Sequence, residues 1–378
     1  MNKPLIMTPG PTYIHEDVRR AMSLEITNPD LDENFFEFYK ETCGKLKELL
    51  KTKNDVLILC GEGILGLEAA CASIIEPGDR VLCIDNGIFG NGFGDFAKIY
   101  GGDVTYFKSD YHSAVGVEGL REFLNKDHNF KLATLVHCET PSGITNPVDE
   151  ICKLLKSYGI LSIVDSVSAI GGEPLETDEW QMDVVLGGSQ KCLSAAPGLT
   201  FLSISPEAWN AILNRKTPIT GYYSNLSHWK NWYEDKWFPY TQPISDIYGL
   251  REAVDRLLSE GDSIKRHKVL SDAVRNALTS SGLELYPQSG FSNTVTTFLI
   301  PSGVSFKEIF DIMLKEHNIM IAGAFGFLKD KVARIGHMGE NCYEEKLYIT
   351  LKALDTTLCK LNIKLKGEIH RYFLSEVE

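Results

Sequence analysis

The amino-acid sequence predicts an α/β fold: a large domain built on a seven-stranded, mainly parallel sheet, followed by a smaller C-terminal α/β domain. Three observations carry the prediction. From about residue 55, short β-rich runs alternate with helical stretches, the order expected of parallel strands joined by covering helices. Several runs are apolar throughout, as strands buried on both faces should be. The alternation stops near residue 206, and the 378 residues fit two domains or one large domain with an appendage.

In chain order, residues 1–14 read as an N-terminal arm and residues 15–262 as the large domain. The seven expected strands are D-V-L-I-L-C (55–60), R-V-L-C-I-D-N (80–86), D-V-T-Y-F-K (103–108), A-T-L-V-H-C (133–138), L-S-I-V-D-S (161–166), M-D-V-V-L-G-G (182–188) and L-T-F-L-S-I-S (199–205). Residues 217–243 turn aromatic and loop-like. A helix is then expected to open at an N-cap of Ser245 or Asp246. It leads into the small domain, residues 263–378.

A net charge of −13 argues against nucleic acid or an anionic membrane as partner, because both reward clustered Lys and Arg. Small molecules are the expected partners. Nine cysteines with no C-x-x-C suggest neither a disulfide framework nor a zinc site, so no metal is expected and reduced thiols in the cytoplasm fit best. No run of 18 apolar residues occurs, and the start lacks a sustained apolar stretch, so a soluble, unexported protein is expected.

In open α/β sheets, ligands bind at the carboxyl ends of the strands. There the sequence places G-E-G after the first run, N-G-I-F-G after the second, E-T-P-S-G after the fourth, Asp165 near the end of the fifth, and S-Q-K after the sixth. Lys191, following a buried strand and G-G-S, is a candidate for a partly desolvated amine of lowered pKa, able to form a Schiff base with a carbonyl. For a lone Lys, an ordinary surface position is the commoner reading. Asp165 follows buried residues and needs a partner; a pyridinium nitrogen is one, a helix cap or plain strand-end acid the alternative. A dinucleotide site is weakly supported, because the glycine turn lacks G-x-G-x-x-G.

The stretch V-D-S-V-S-A-I-G-G-E-P-L through M-D-V-V-L-G-G-S-Q-K-C-L-S-A-A-P-G-L resembles the signature of the class V, fold type I aminotransferases, and the likeness runs from T-P-G-P-T at residue 8 to R-I-G-H-M-G at 334–339. The resemblance implies pyridoxal phosphate chemistry with an amino donor and an oxo acid. By it, Lys191 carries the Schiff base and moves the proton at Cα, Asp165 binds the pyridine nitrogen, and Phe89 and Val167 hold the two ring faces. Thr140 lies near the ring hydroxyl or the substrate carboxylate, and Gly63 and Gln190 count among the cofactor-binding residues. Arg334 receives the substrate carboxylate in a bidentate pair. Tyr240 and Thr241, in W-F-P-Y-T-Q-P, hold places from which the family reaches the neighbouring subunit's cofactor, which implies a homodimer with shared sites. Core packing for Phe89, turn chemistry for Thr140, a salt bridge for Arg334 and buried interface packing for Tyr240 are the plainer alternatives. His137 and His337 read as satisfied core or turn histidines rather than metal ligands.

One position departs from the family. The phosphate turn usually reads S-G-[ST] or S-G-H; here Glu62 takes the hydroxyl place and Ile64 follows Gly63. Two unit charges 4 Å apart repel by about 4 kcal/mol at an effective dielectric of 20, while a helix N-terminus returns only about 0.3–1 kcal/mol per anion, so repulsion outweighs the dipole. Glu62 either complements the dipole of its own helix or accepts a hydrogen bond from an alcohol. Pyridoxal and pyridoxamine carry an alcohol where the phosphate ester would be. The stretch around G-E-G-I-L-G-L-E-A-A is similar to the pyridoxamine–pyruvate transaminases, the class V branch that takes free vitamin B6 as substrate, and there a Glu binds the vitamer hydroxyl. That branch has a second arginine where this chain has Phe325, so Arg334 is left to hold the oxo acid alone or the oxo acid differs. The expected activity is exchange of an amino group between pyridoxamine and a small oxo acid such as pyruvate. A conventional pyridoxal-phosphate-dependent alanine–glyoxylate or serine–pyruvate aminotransferase is the alternative.

Overall fold

The computed structural model describes residues 3–377. Each of the seven expected runs forms a strand of a single sheet: β1 (Asp55–Cys60), β2 (Arg80–Asp85), β3 (Asp103–Lys108), β4 (Leu132–Val136), β5 (Leu161–Asp165), β6 (Val184–Gly188) and β7 (Leu199–Ile204). Their order across the sheet is β1-β7-β6-β5-β4-β2-β3. All neighbours run parallel except β7, which is antiparallel to both β1 and β6. The alternation of apolar runs and helices thus produces a sheet covered on both faces, and β4, β6 and β7 are buried along their whole length.

The fourth run ends sooner than its apolar pattern suggests. The His137 N–H donates to the Asp165 carbonyl, and Cys138–Glu139 then leaves the sheet to pair with Ile144–Thr145 in a short hairpin. The helix expected to open at Ser245 or Asp246 instead spans Ile244–Ser259, with Pro243 at its N-cap and no side-chain cap. Proline before the first turn presets the backbone and has no N–H to satisfy, so the polar pair falls inside the first turn.

A second hydrophobic core lies in the C-terminal part, around Phe298, Ile309, Leu351 and Phe373. It contains the antiparallel strands β8 (Val295–Leu299), β9 (Ala322–Gly323) and β10 (Val332–Gly336), in the order β8-β10-β9. The N-terminal arm joins this core: Leu5–Ile6 pairs with Ile319–Met320, and Met7 is fully buried in the cluster. The next residues, Thr8 to Gly10, therefore run back toward the carboxyl ends of the large sheet. No helix among the described residues is long and apolar enough to cross a membrane.

Candidate active site

The carboxyl ends of β1, β5 and β6 open onto a cavity of about 190 Å³. Eight of the residues singled out from the sequence line it: Glu62, Gly63, Phe89, Thr140, Asp165, Val167, Gln190 and Lys191. Arg334 stands behind this wall, and Tyr240 and Thr241 lie outside it.

Lys191 follows β6 by three residues, and its half-buried side chain donates to the Pro9 carbonyl at 2.7 Å. The contact needs glycine next door: Gly10 has φ +106°, and a Cβ there would stand 2.5 Å from the amine. Burial first, and the positive charge of Arg334 second, pull the Lys191 pKa below its ordinary value, while Asp165 opposes them. Asp165 sits at the end of β5. Burial pushes its pKa up to about 6 against the hydrogen bond it accepts from the Val167 N–H at 3.0 Å. That is the one hydrogen bond its side chain makes among the described residues.

Arg334 is 8 % exposed and pairs with no carboxylate among the described residues. β10 places it beside β9, so that its Nε donates to the Gly323 carbonyl at 2.7 Å and one terminal nitrogen reaches the Thr140 carbonyl at 3.4 Å. Burial pushes its pKa down to about 10. A desolvated guanidinium with two carbonyl partners and no counter-charge is a receptor for an anion.

Glu62 is the N-cap of the helix Gly63–Ile74, and its Oε1 accepts from the Ile64 N–H at 3.1 Å. The carboxylate therefore caps its own helix while lining the cavity. Gly63 permits close packing, since a Cβ there would lie 2.9 Å from a Val167 methyl group. Thr140 donates to the Ser168 hydroxyl at 2.7 Å, and the buried Gln190 Oε1 has no hydrogen-bond partner.

Tyr240 and Thr241 stay apart from the cavity within one chain. The Tyr240 hydroxyl accepts from the Cys60 N–H at 3.4 Å and its ring stacks on Tyr223, while Thr241 is exposed. Two further features of the site went unassigned in the sequence. The Pro9–Gly10 turn beneath Lys191 is one. The other is Glu139, fully buried, whose two carboxylate oxygens accept the Phe89 and Gly90 N–H groups at 2.8 and 2.9 Å. Burial pushes its pKa up to about 7. Its place in E-T-P-S-G, at a strand end, was the available signal. His137 and His337 are buried and hydrogen-bonded, and no cluster of three or more metal-ligating side chains occurs among the described residues.

The family model described as aminotransferase class-V matches residues 18–326. The chain is similar to an uncharacterized aminotransferase of Methanocaldococcus jannaschii, 35% identical over 96% of this chain and 95% of that one. It is also similar to a pyridoxamine–pyruvate transaminase of Mesorhizobium japonicum, 33% identical over 89% of this chain and 86% of that one. Among solved structures, the ureidoglycine–glyoxylate aminotransferase of Bacillus subtilis superposes with a TM-score of 0.96 at 32% identity, covering 100% of this chain and 98% of that one.

Proposed function

The chain belongs to the class V aminotransferases, and on that premise we propose that it moves an amino group between pyridoxamine and a small 2-oxo acid such as pyruvate. The residues of the cavity suit a pyridoxal ring. Asp165 is a desolvated carboxylate with a single side-chain hydrogen bond among the described residues, Lys191 is a half-buried amine of lowered pKa, and Val167 and Phe89 are apolar walls. Bound there, the protonated pyridine supplies an electron sink for a carbanion. The observation that carries the choice of vitamer is Glu62. Its carboxylate lies in the turn that would face a phosphate and already occupies the Ile64 N–H, which favours an uncharged hydroxymethyl group over a dianion.

The chain's own groups then divide the work. Asp165 holds the ring nitrogen, and its ionised form is favoured once a pyridinium replaces its lost hydration. Arg334 takes the oxo-acid carboxylate through its terminal nitrogens, one of them giving up its long contact to the Thr140 carbonyl. Lys191 Nζ takes a proton from the methylene carbon bearing the amino group and returns it to the α-carbon of the nascent amino acid, while Phe89 and Val167 hold the ring plane between them.

The assembly and organisation are part of the same proposal. A homodimer with Tyr240 and Thr241 turned toward the neighbouring site is supported by exposed Tyr222, Tyr223 and Trp237 nearby. Division into residues 1–14, 15–262 and 263–378 is supported by the separate cores and by the break between helices Ile244–Ser259 and Ser263–Ser280. Nine free thiols support a reducing, cytoplasmic setting. The second reading, a phosphate-using glyoxylate or pyruvate aminotransferase, is favoured by the likeness to the ureidoglycine–glyoxylate enzyme over the whole chain. Steady-state rates with pyridoxamine and with its phosphate as amino donors to pyruvate separate the two. At least tenfold higher kcat/KM for pyridoxamine is expected; a preference for the phosphate ester sinks the vitamer reading.

A further inference from the structure

The cavity is chemically two-sided. Its polar groups gather around Lys191 and Asp165, whereas Ile64, Leu67, Ile88, Phe89, Phe93 and Phe96 line the other side, and among the described residues Lys191 is the one cation in the lining. Beside the apolar side, large hydrophobic side chains stand open: Ile64 is 48%, Phe89 36%, Phe325 46% and Phe327 39% exposed. The last two belong to a short segment that leaves β9 directly after Gly323, the residue whose carbonyl anchors Arg334. Aromatic contacts to the large domain pin that segment. Phe325 meets Phe89 with ring centroids 5.7 Å apart, and Phe327 stacks on Tyr111 at 5.0 Å and 24°. Between them Gly326, at φ +59°, lies over Ile88 so closely that a Cβ would stand 3.2 Å from its terminal methyl.

We propose that Phe325, paired with Phe89, is the specificity-determining wall of the oxo-acid site, selecting monocarboxylic 2-oxo acids with apolar side chains and rejecting those with a second carboxylate. The inference rests on the transaminase reading of this cavity and holds for either form of the vitamin. Gly323 fixes Arg334, so a carboxylate bound there leaves the substrate side chain to extend toward the segment two residues further on. An alkyl group gains burial against two rings, a benefit of about fourfold per methylene. A second carboxylate meets the same rings, while the lining cation, Lys191, sits on the polar side with its amine donating to the Pro9 carbonyl.

The test measures kcat/KM for pyruvate, for straight-chain 2-oxo acids one and two methylenes longer, and for oxaloacetate, in wild type, F325L and F325R. Melting temperature confirms that each variant is folded. Wild type is expected to favour the alkyl series over oxaloacetate by at least a hundredfold. F325L should keep that order, and F325R should raise the oxaloacetate-to-pyruvate ratio at least tenfold. Wild-type turnover of oxaloacetate equal to that of pyruvate, or a ratio unmoved in F325R, overturns the assignment while leaving the transaminase reading intact. Failure of every oxo acid with wild type overturns both.

Discussion

The Glu62 carboxylate accepts the Ile64 N–H at 3.1 Å, so the donor that this helix N-terminus would offer an incoming anion is already taken by the chain's own acid. Serine at this position would still cap the helix, so stability should change little. It would also remove a charge whose repulsion of a phosphate is about 4 kcal/mol at close range. Glu62→Ser is therefore expected to raise the ratio of kcat/KM for pyridoxamine phosphate over pyridoxamine by about a hundredfold, allowing for partial screening. An unchanged ratio in a folded variant would remove the charge argument and leave Glu62 as a helix cap alone.

Lys191 and Arg334 are coupled through charge: the guanidinium lowers the pKa of the amine, second only to burial. The neutral amine is the reactive form, so Schiff-base formation with pyridoxal should set in at a pH well below that of an ordinary lysine. Arg334→Met removes the positive neighbour and should move that onset to higher pH. An absorbance titration with pyridoxal alone reads it, without any oxo acid. Lys191→Ala should abolish the absorbance change and cost about a thousandfold or more in turnover. A titration curve unmoved by Arg334→Met would show that the two cations act independently.

The sheet was legible because each strand writes its burial into a local run: both faces are covered, so Val, Ile and Leu follow one another without polar interruption. The same signal misplaced the end of β4. Cys138 is as buried as the strand before it, but in a hairpin that His137 enters by turning its N–H to the Asp165 carbonyl. Glu62, Asp165 and Lys191 could be gathered from sequence because each stands next to the end of such a run. Pro9 under Lys191, Glu139 under the Phe89 turn and Thr140 beside Arg334 could not. Those pairs are 182, 50 and 194 residues apart, and contacts between distant segments leave no period to read.

Arg334 is expected to separate stability from activity. Its burial without a carboxylate partner among the described residues costs the fold desolvation energy that two carbonyl contacts only partly offset. Arg334→Met should melt at the same temperature as wild type or higher when no oxo acid is present. Its kcat/KM for the oxo acid should fall at least about a hundredfold, because hydrogen bonds to charged groups contribute roughly 1.5–3 kcal/mol each. Wild type should gain thermal stability on adding the oxo acid, and the variant should not. Melting curves with and without pyruvate check all three. A variant that melts lower and still responds to pyruvate would make Arg334 structural.

Acid stability should report on the buried histidines. His267 and His337 are fully buried, and their pKa values are pushed down to about 4 and about 3 from 6.5, chiefly by burial. His267 Nε2 accepts the Gly339 N–H at 2.9 Å, so protonation there displaces a hydrogen bond. Because the folded pKa lies below the unfolded one, the unfolded chain takes protons first. The stability from keeping these rings neutral is complete above about pH 6.5 and is lost as pH falls toward 4. Glu139 and Asp165, raised to about 7 and about 6, act oppositely, since the strain of their buried charges is relieved as pH falls. With His137, also buried and lowered to about 3, three rings oppose two acids, so the ligand-free protein should change little in stability between about pH 7 and 6, decline gently to about 4.5, and weaken steeply only below that, where Glu139 is protonated folded and unfolded alike. For His267 alone, lowering from 6.5 to about 4 corresponds to about 3 kcal/mol by pH 4. Denaturant unfolding from pH 4 to 8 should find His267→Gln less stable than wild type at pH 7 but with a shallower decline below 6.5. Equal slopes for the two proteins would mean that His267 does not titrate on unfolding, and that acid lability arises elsewhere.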